Sequence, residues 1–329
     1  MNNYKMFFDF IDNFKKIIIT SHENPDPDAL GSEYALCKVL LAKGYNASIM
    51  TCEEIPVKCE FIDSGRLINV VSRDSTFESD ALTQTALIVL DTNTASNTGF
   101  FYNLIKDKIN DVFIIDHHEI DKNHFNKKTN LINVKASSTC EIIYELSEYC
   151  GYKMDHDFAQ AVFAGILYDT GLFVYPKTEY KTMQIASDLL KACVKPNIVY
   201  SNLYETNSLS SLKLQSLVFS RIKFFNNNTI ALQVMLKEDL ENLNARFEDG
   251  DSIINLPMKC RDILVSVFFK ENKDGVMRCS LRSKENIDVS SIARKFGGGG
   301  HTTAAGFKCH ESLDIITQKV LKELKELLF

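Results

Sequence analysis

The sequence predicts an α/β protein with two domains, the first built on a parallel sheet and the second a smaller α+β domain. Its 329 residues exceed the length of one ordinary compact unit. The first half alternates short apolar runs with helical patterns, which is typical of a parallel sheet flanked by helices. Two of these runs, ALIVL and VFII, are continuously apolar, which indicates central strands covered on both faces.

The predicted strands of the first domain share an apolar run followed by polar residues. They are KKIIIT at 15–20, ALIVL at 86–90, VFII at 112–115 and LINV at 131–134. Between the first two strands, the pattern predicts a helix over 29–43. Helical spacing then dominates from 139 to 190, so we assign residues 1–193 to the first domain.

The second domain follows a polar segment rich in serine and asparagine. This segment contains Pro196 and predicts a connection over residues 194–217. Residues 218–329 return to strand patterns (TIALQVML, DILVSVFFK and MRCSLRS) and include a helical stretch at 292–296 and a loop of four glycines. We therefore expect a small α+β domain there.

Composition and charge exclude several classes of protein. A net charge of −6 argues against the broad basic surface that long duplex nucleic acid requires, but it permits a short phosphorylated ligand. No apolar run approaches the roughly 20 residues of a membrane helix, and the N-terminus is unlike a signal peptide. The nine cysteines include no C-x-x-C pair, which indicates reduced thiols rather than a zinc ribbon or disulfides. We expect a cytoplasmic protein without a membrane partner.

Chemically active side chains follow three of the predicted parallel strands. They are His22, Asp26, Asp28, Asp91, Asp116, His117 and His118. Open parallel sheets bind ligands at the carboxyl ends of their strands. Taken alone, the segment at 21–32 is also typical of a helix-entry loop with turn-forming Asn-Pro and Asp-Pro pairs. Because three strands deliver such residues to one edge, a functional site is favoured.

These carboxylates predict a metal centre. Asp169 closes a later helical pattern, and its proximity to Asp26, Asp28 and Asp91 would create repulsion unless cations neutralised the four charges. Two divalent ions supply that charge, and oxygen ligands with one or two imidazoles favour Mn²⁺, with Mg²⁺ and Co²⁺ as alternatives. Two such ions can activate water for displacement at phosphorus, so the sequence predicts a hydrolase of phosphate esters.

A glycine-rich segment, FGGGGHTTAAGF at 296–307, is a second candidate site. Glycines let backbone N–H groups approach an anion closely. Taken alone, four glycines are typical of a mobile turn, because the strand and lysine of a nucleotide P-loop are absent. Arg282 lies at a predicted strand end and can bind a phosphate through two hydrogen bonds. The predicted substrate-binding residues are Arg282, Gly298, Gly299, Gly300 and His301.

Five of these segments resemble the motifs of a known family. HENPDPDALGS, Asp91, DHH at 116–118 and GILYDTGLF resemble the DHH family of phosphoesterases, and FGGGGHTTAAGF resembles the signature of its DHH-associated C-terminal domain. The resemblance spans nearly the whole chain, and five agreeing motifs are specific where one would be weak. The size resembles the standalone branch that contains oligoribonuclease/pAp phosphatase enzymes of the NrnA type.

The resemblance implies a role for each metal ligand. His22 and Asp26 would hold one ion. Asp28, His117 and Asp169 would hold the other. Asp91 would bridge the two ions.

The resemblance also implies the remaining roles and the place of the active site. The catalytic residues would be His118, which contacts the scissile phosphate, Asp116, which orients its neighbours, and Asp91. Arg282 and the loop at 297–301 would bind the far end of the substrate. We therefore expect the active site in a cleft between the catalytic DHH domain and the DHH-associated substrate-binding domain.

From this resemblance we expect an enzyme that hydrolyses short oligoribonucleotides to mononucleotides and also dephosphorylates 3′-phosphoadenosine 5′-phosphate. The motifs do not separate it from a phosphodiesterase for cyclic or linear dinucleotides such as c-di-AMP and pApA. A RecJ-type exonuclease would need a long basic channel and further binding domains. A family II pyrophosphatase would need another C-terminal domain, and an inactive nucleic-acid-binding scaffold would not need the intact ligand set. We expect a homodimer, the common state of cytosolic enzymes.

Overall fold

The computed structural model describes residues 3–77, 82–109, 111–120, 124–125, 130–272, 274–284 and 287–328. The chain divides into two compact units, Met1–Thr206 and Asn207–Phe329. We call them the N-terminal unit and the C-terminal unit. Within the described residues, no helix has both the length and the apolar composition needed to cross a membrane.

The N-terminal unit contains a six-stranded sheet in which every pair of neighbours is parallel. Its strands are β1 (Lys16–Thr20), β2 (Ala47–Thr51), β3 (Ile68–Val70), β4 (Thr85–Leu90), β5 (Val112–Asp116) and β6 (Asn130–Ile132). Their order across the sheet is β3-β2-β1-β4-β5-β6. The chain thus runs outward in opposite directions from the β1–β4 pair, and this reversal opens a crevice at the carboxyl ends of the two strands.

The described helices of this unit are α1 (Asn3–Ile11), α2 (Pro27–Ala42), α3 (Gly99–Ile105), α4 (Thr139–Tyr149), α5 (His156–Asp169), α6 (Tyr180–Lys191) and α7 (Pro196–Tyr204). Side chains of β1 and β4 alternate between two apolar cores, one containing Ile17 and Ile88 and the other Ile18 and Val89. Both faces of the sheet are therefore covered, as the continuously apolar runs predict.

The C-terminal unit contains a six-stranded mixed sheet of order β11-β12-β10-β9-β8-β7. Its strands are β7 (Lys223–Phe225), β8 (Ile230–Met235), β9 (Val265–Glu271), β10 (Met277–Ser283), β11 (Gly299–His301) and β12 (Ala304–Cys309). Among the described strands of this unit, only the β8–β9 pair is parallel. Its described helices are α8 (Leu209–Ser220), α9 (Lys237–Leu243), α10 (Val289–Lys295) and α11 (Leu313–Leu328). The predicted fold class, a parallel-sheet domain followed by an α+β domain, is confirmed.

The segment at 194–217, predicted as a connection, contains α7 and part of α8, and the division between the units falls between Thr206 and Asn207. Pro196 occupies the first turn of α7, and the side chain of Ser208 caps α8 by accepting a hydrogen bond from the backbone N–H of Ser211. The same polar residues that suggest a loop in the sequence are helix-starting residues in the structure.

Candidate active site

Asp26 begins α2 as its N-cap. Its Oδ1 accepts hydrogen bonds from the backbone N–H groups of Asp28 (2.9 Å) and Ala29 (3.1 Å). Pro27 occupies the first helical position, where its missing N–H costs nothing. The cap therefore fixes the carboxylate of Asp26 through one oxygen and leaves the other free of hydrogen bonds within the described part of the chain.

Asp28 is fully buried in α2 and is held by the first turn of α4. Its Oδ2 accepts the N–H of Thr139 at 2.7 Å, and its Oδ1 accepts the N–H of Cys140 at 2.9 Å. These N–H groups lie at the positive end of the helix dipole, which stabilises a carboxylate. Burial and the charge of Asp169 nevertheless raise the pKa of Asp28.

Asp91 follows β4 and lies at the centre of the site. Its backbone has a φ of 59°, in the left-handed region that Asp tolerates better than most residues. Its Oδ1 accepts a hydrogen bond from the hydroxyl of Thr139 at 2.9 Å. Its carboxylate oxygens also lie 3.4 Å from Nε2 of His22 and 3.6 Å from Nε2 of His117.

Asp116, the last residue of β5, organises the turn that follows it. Its Oδ1 accepts the N–H groups of His117 (2.8 Å) and His118 (3.1 Å) and lies 2.8 Å from Nδ1 of His118. Its Oδ2 accepts a hydrogen bond from the amide of Asn93 at 2.7 Å. Burial opposes ionisation, but the bonds from His118 prevail and lower the pKa of Asp116. Asp116 is therefore a charged support for the imidazole of His118 and for the backbone of His117.

The imidazole of His117 is buried and is oriented by the backbone. Its Nδ1 lies 3.4 Å from the carbonyl oxygen of Ala136, and the ring is oriented so that Nε2 faces the carboxylates. In the tautomer protonated at Nδ1, that nitrogen donates to Ala136 and Nε2 carries a free lone pair. Nε2 lies 3.0 Å from Oδ2 of Asp169 and 3.9 Å from Oδ2 of Asp28. Among the described residues, Nε2 nevertheless has no partner with the geometry of a hydrogen bond. A buried nitrogen among carboxylates is suited to a metal ion.

The structure brings all six predicted metal ligands together. Two groups have ligand atoms within 4.8 Å of one another: His22, Asp26 and Asp91, and Asp28, His117 and Asp169. A third group joins Asp91 to His117 and His118. Asp91 thus adjoins both sets, as a bridging ligand must.

The electrostatics of this cluster fit a cationic partner. Burial and the neighbouring carboxylates raise the pKa of Asp26, Asp28 and Asp91, because each negative charge disfavours the next. The His117 pKa is raised despite burial, by its contact with Asp169 and the charge of Asp28. Four carboxylates and two inward imidazoles form the donor set that divalent ions of the Mn²⁺ and Mg²⁺ type prefer.

Sequence reasoning missed two supporting residues, Thr139 and Asn93. Thr139 resembles a helix cap in the sequence, but Ser138 is the N-cap of α4 and the Thr139 hydroxyl donates to Asp91 instead. Asn93 belongs to a run of four buried polar residues at 91–94. Such a run directly after an apolar strand is a signal that the sequence offers.

In the C-terminal unit, β-sheet register places Arg282 and His301 on one face. Both residues pair with Ala304, Arg282 from β10 and His301 from β11, so their side chains flank it on the same side of the sheet. The strand spacing puts their backbones roughly 10 Å apart. Arg282 donates to the carbonyl oxygen of Leu281 at 3.1 Å, and His301 is exposed.

The glycines of this unit differ in what they do. Gly297 has a φ of 76° and Gly300 a φ of 138°, and a Cβ on Gly298 would lie 2.1 Å from the carbonyl oxygen of Gly306. These three positions require glycine for the backbone itself. Gly299 has no atom within 4 Å of an added Cβ and no positive φ. Part of the predicted loop is thus a strand, β11, because Gly298 and Gly300 allow it to approach β12 closely.

Comparison with known proteins gives matches over both units. Residues 16–166 match the N-terminal domain of the DHH family, and residues 227–328 match the DHHA1 domain. The chain is similar to a probable bifunctional oligoribonuclease and PAP phosphatase NrnA of Streptococcus mutans, with 29% identity over 332 residues and 100% of each chain covered. It is also similar to the bifunctional oligoribonuclease and PAP phosphatase NrnA of Bacillus subtilis, with 29% identity over 305 residues and 89% of each chain.

Among solved structures, an exopolyphosphatase-related protein from Bacteroides fragilis has the same fold. The TM-score is 0.87 at 24% identity, and the match covers 99% of this chain and 97% of that chain. This match shows a shared fold, and the two domain matches confirm the resemblance that the five motifs indicate.

Proposed function

Because this chain belongs to the DHH family, with a DHH domain followed by a DHHA1 domain, we propose that it is a two-metal phosphoesterase that hydrolyses short oligoribonucleotides to mononucleotides. A second proposed activity is dephosphorylation of 3′-phosphoadenosine 5′-phosphate. The observation that carries this proposal is the convergence of six potential ligands, with Asp91 shared between their two groups. The names of the similar proteins from Streptococcus mutans and Bacillus subtilis support the substrate class.

The proposed ligands divide as the two groups around Asp91 suggest. His22 and Asp26 would hold one ion, Asp28, His117 and Asp169 the other, and Asp91 both. When bound, the two ions supply Lewis acidity at phosphorus and the positive charge that the carboxylates lack. We propose Mn²⁺ as the ion in the cell, because it accepts imidazole more readily than Mg²⁺ does.

His118 is the proposed contact to the scissile phosphate. Its Nδ1 faces Oδ1 of Asp116 at 2.8 Å, and its side chain is 54% exposed, so Nε2 is the nitrogen available to a substrate. The contact with Asp116 orients the imidazole, and Nε2 can form a hydrogen bond with an oxygen of the phosphate. Asp116 itself is a positioning residue through His118 and the backbone of the DHH turn.

The proposed role of the C-terminal unit is to bind a further phosphate of the substrate. Arg282 and His301 provide side-chain donors on one face of the sheet. Gly299 adds an exposed backbone without a side chain to exclude an anion. Binding of this kind would favour short chains with a nearby end, which is the substrate class of the proposal.

We also propose a homodimer in the cytoplasm. All nine cysteines are free thiols, which suits a reducing compartment. Closed homodimers are the commonest assemblies of soluble enzymes. Light scattering on the purified protein checks the oligomeric state directly.

The experiment that tests the function compares initial hydrolysis rates in Mn²⁺ and in chelator. The substrates are pApA, a five-residue RNA, a 24-residue RNA, 3′-phosphoadenosine 5′-phosphate and c-di-AMP. We expect rapid Mn²⁺-dependent release of mononucleotides from the two short RNAs and slow cleavage of the long one. A preference for c-di-AMP would move the enzyme to dinucleotide signalling, and cleavage in chelator would overturn the metal-dependent mechanism.

A further inference from the structure

Two tyrosines of the N-terminal unit, Tyr168 and Tyr204, lie near Asp169, and two more, Tyr175 and Tyr200, lie near Tyr204. We call Tyr168, Tyr175, Tyr200 and Tyr204 the tyrosine rim. Tyr168 directly precedes Asp169 at the end of α5. Tyr200 and Tyr204 lie one turn apart on α7, and their rings stack with centroids 5.3 Å apart and an interplanar angle of 29°.

An unusual turn presents Tyr175 to this rim. Residues 171–173 all have positive φ values of 54°, 65° and 65°, although two of them, Leu172 and Phe173, are bulky. The turn folds the chain back so that the N–H of Tyr175 donates to the carbonyl oxygen of Thr170 at 2.9 Å. A Cβ on Gly171 would lie 2.5 Å from the Tyr175 ring, so the ring rests directly on that backbone. Strain of this kind next to a candidate ligand points to function.

The rim adjoins the proposed metal centre. Burial raises the pKa of Tyr168 to about 12, and the charges of Asp26 and Asp169 contribute. Burial also raises the pKa of Tyr204 to about 12, with contributions from Tyr175 and Asp169. Tyr168 and Tyr204 thus lie beside carboxylates of the proposed metal site, where their rings form an aromatic wall.

The hydroxyl groups of the rim differ from those of several other tyrosines in the chain. Tyr34 bonds Ser64 at 3.1 Å, Tyr45 bonds Asp12 at 2.6 Å and Tyr144 bonds Asp188 at 3.3 Å. No rim hydroxyl has a hydrogen-bond partner within the parts of the chain that the structure describes. Partly exposed rings with unused hydroxyls beside a charged cluster are suited to a ligand with an aromatic part.

A basic side chain accompanies the rim. Nζ of Lys58 lies 5.7 Å from the ring centroid of Tyr168. Lys58 belongs to the 3-10 helix Val57–Asp63, which packs against α5 and α7, the two helices that carry Tyr168 and Tyr204. A cation beside an aromatic wall can approach a phosphate while the rings contact a base.

We propose that the tyrosine rim is a nucleobase-binding subsite, on which a base of the substrate stacks while Lys58 lies near its phosphate. This inference deepens the proposed function and rests on it. Stacking tolerates any base, because every base has a π-face. The rim would therefore let one site accept short RNA of varied sequence, and it would disfavour phosphate compounds that carry no base.

The test compares pApA with matched analogues in which hydrogen replaces one adenine at a time. For the wild type we expect a kcat/KM about tenfold or more higher on pApA than on at least one of these abasic analogues. Tyr168→Ala and Tyr204→Ala should reduce that preference to about twofold or less, by raising the KM for pApA more than the KM for the abasic analogue. Tyr168→Phe and Tyr204→Phe keep the ring and should keep the preference.

The control variant is Tyr149→Ala, since Tyr149 is the last residue of α4, at the opposite end of that helix from Asp28. It should match the wild type on both substrates. Equal wild-type rates on pApA and every abasic analogue would contradict the nucleobase-binding role of the tyrosine rim but not the proposed phosphoesterase activity. Phe variants as impaired as the Ala variants would overturn stacking. If an Ala variant fails to fold in thermal unfolding, the Phe variants and the wild-type comparison still decide. No hydrolysis of any nucleotide by the wild type would overturn the proposed function itself.

Discussion

The two candidate phosphate-handling regions of this chain are built in opposite ways. In the N-terminal unit, Asp28, Asp91 and His117 are at most 3% exposed. In the C-terminal unit, Gly299 and His301 are exposed. The first region concentrates negative charge that only cations can neutralise, whereas the second presents donors to solvent.

This difference teaches how each region is held in place. Buried carboxylates need partners from distant segments, and Asp28 takes its N–H donors from residues more than 100 positions away. The exposed face needs only β-sheet register, which sets Arg282 and His301 on either side of Ala304. We therefore expect changes of a single atom to affect catalysis in the first region and substrate affinity in the second.

The largest expected effect is that of Asp91→Asn, which should abolish hydrolysis. Asn keeps the size and tolerates the left-handed backbone, so the change isolates the charge. In chelator the variant should be at least as stable as the wild type, because burial and neighbouring carboxylates raise the pKa of Asp91. Metal at 100 times its Kd should stabilise the wild type by about 2.7 kcal/mol and the variant by less. Thermal unfolding measures this, and retained turnover would refute the bridging role.

Thr139→Val tests the support behind Asp91. Valine keeps the shape and the backbone N–H to Asp28 but removes the hydroxyl that donates to Asp91. We expect kcat to fall about 10- to 100-fold with little change in KM. Thr139→Ser restores the hydroxyl and should recover most of the rate. Equal loss in the two variants would assign the effect to packing instead.

Arg282→Ala tests the exposed face of the C-terminal unit. Losing charge-assisted hydrogen bonds to a phosphate should raise KM about tenfold or more and leave kcat nearly unchanged. The matched control is Arg278→Ala, on the same strand and face but over the ring of Phe247 at 5.4 Å. Steady-state kinetics on pApA separates the two. A fall in kcat alone would contradict the binding role.

Alanine substitutions at Gly298 and Gly299 should have smaller effects, and comparing them separates a loss of stability from a loss of substrate binding. Gly298→Ala should destabilise the C-terminal unit by about 1–3 kcal/mol, because its Cβ would meet the carbonyl oxygen of Gly306. Gly299→Ala should leave the unfolding midpoint unchanged, since the space there is open. If the backbone at Gly299 approaches a phosphate, KM should still rise. An unchanged KM in this variant would remove Gly299 from the substrate-binding residues.

Glu33→Gln should have the smallest effect on catalysis and a clear effect on stability. Glu33 is fully buried in α2, and burial, with a smaller contribution from Asp63, raises its pKa to about 8. When the pKa of a carboxyl is higher in the folded state than in the unfolded state, the protein loses stability as the pH rises from the unfolded-state pKa to the folded-state pKa. The wild type should therefore lose a few kcal/mol relative to the Gln variant between roughly pH 5 and pH 8. Chemical denaturation of the two metal-loaded proteins measures this difference. A difference in the free energy of unfolding that stays constant between roughly pH 5 and pH 8 would contradict the prediction.

The sequence by itself determined the parallel sheet and the edge of that sheet at which the candidate functional side chains lie. Continuous apolar runs in β4 and β5 require cover on both faces, and parallel strands bring their carboxyl ends to one side. Asp91 and the DHH turn at 116–118 therefore had to meet. The positions of Asp26 and Asp28 followed as well, because a cap and the first turn of a helix have local geometry.

Only the tertiary structure decided which residues support the site. Thr139 reaches Asp91 because α4 points its N-terminus at the crevice, and Tyr204 adjoins Asp169 because α7 lies beside α5. Gly298 and Gly299 are the same residue type, but their surroundings differ, because Gly298 faces the backbone of β12 and Gly299 does not. Local patterns encode strands, caps and turns through short-range sterics and hydrogen bonds, whereas contacts across 50 or 100 residues depend on how helices pack on the sheet.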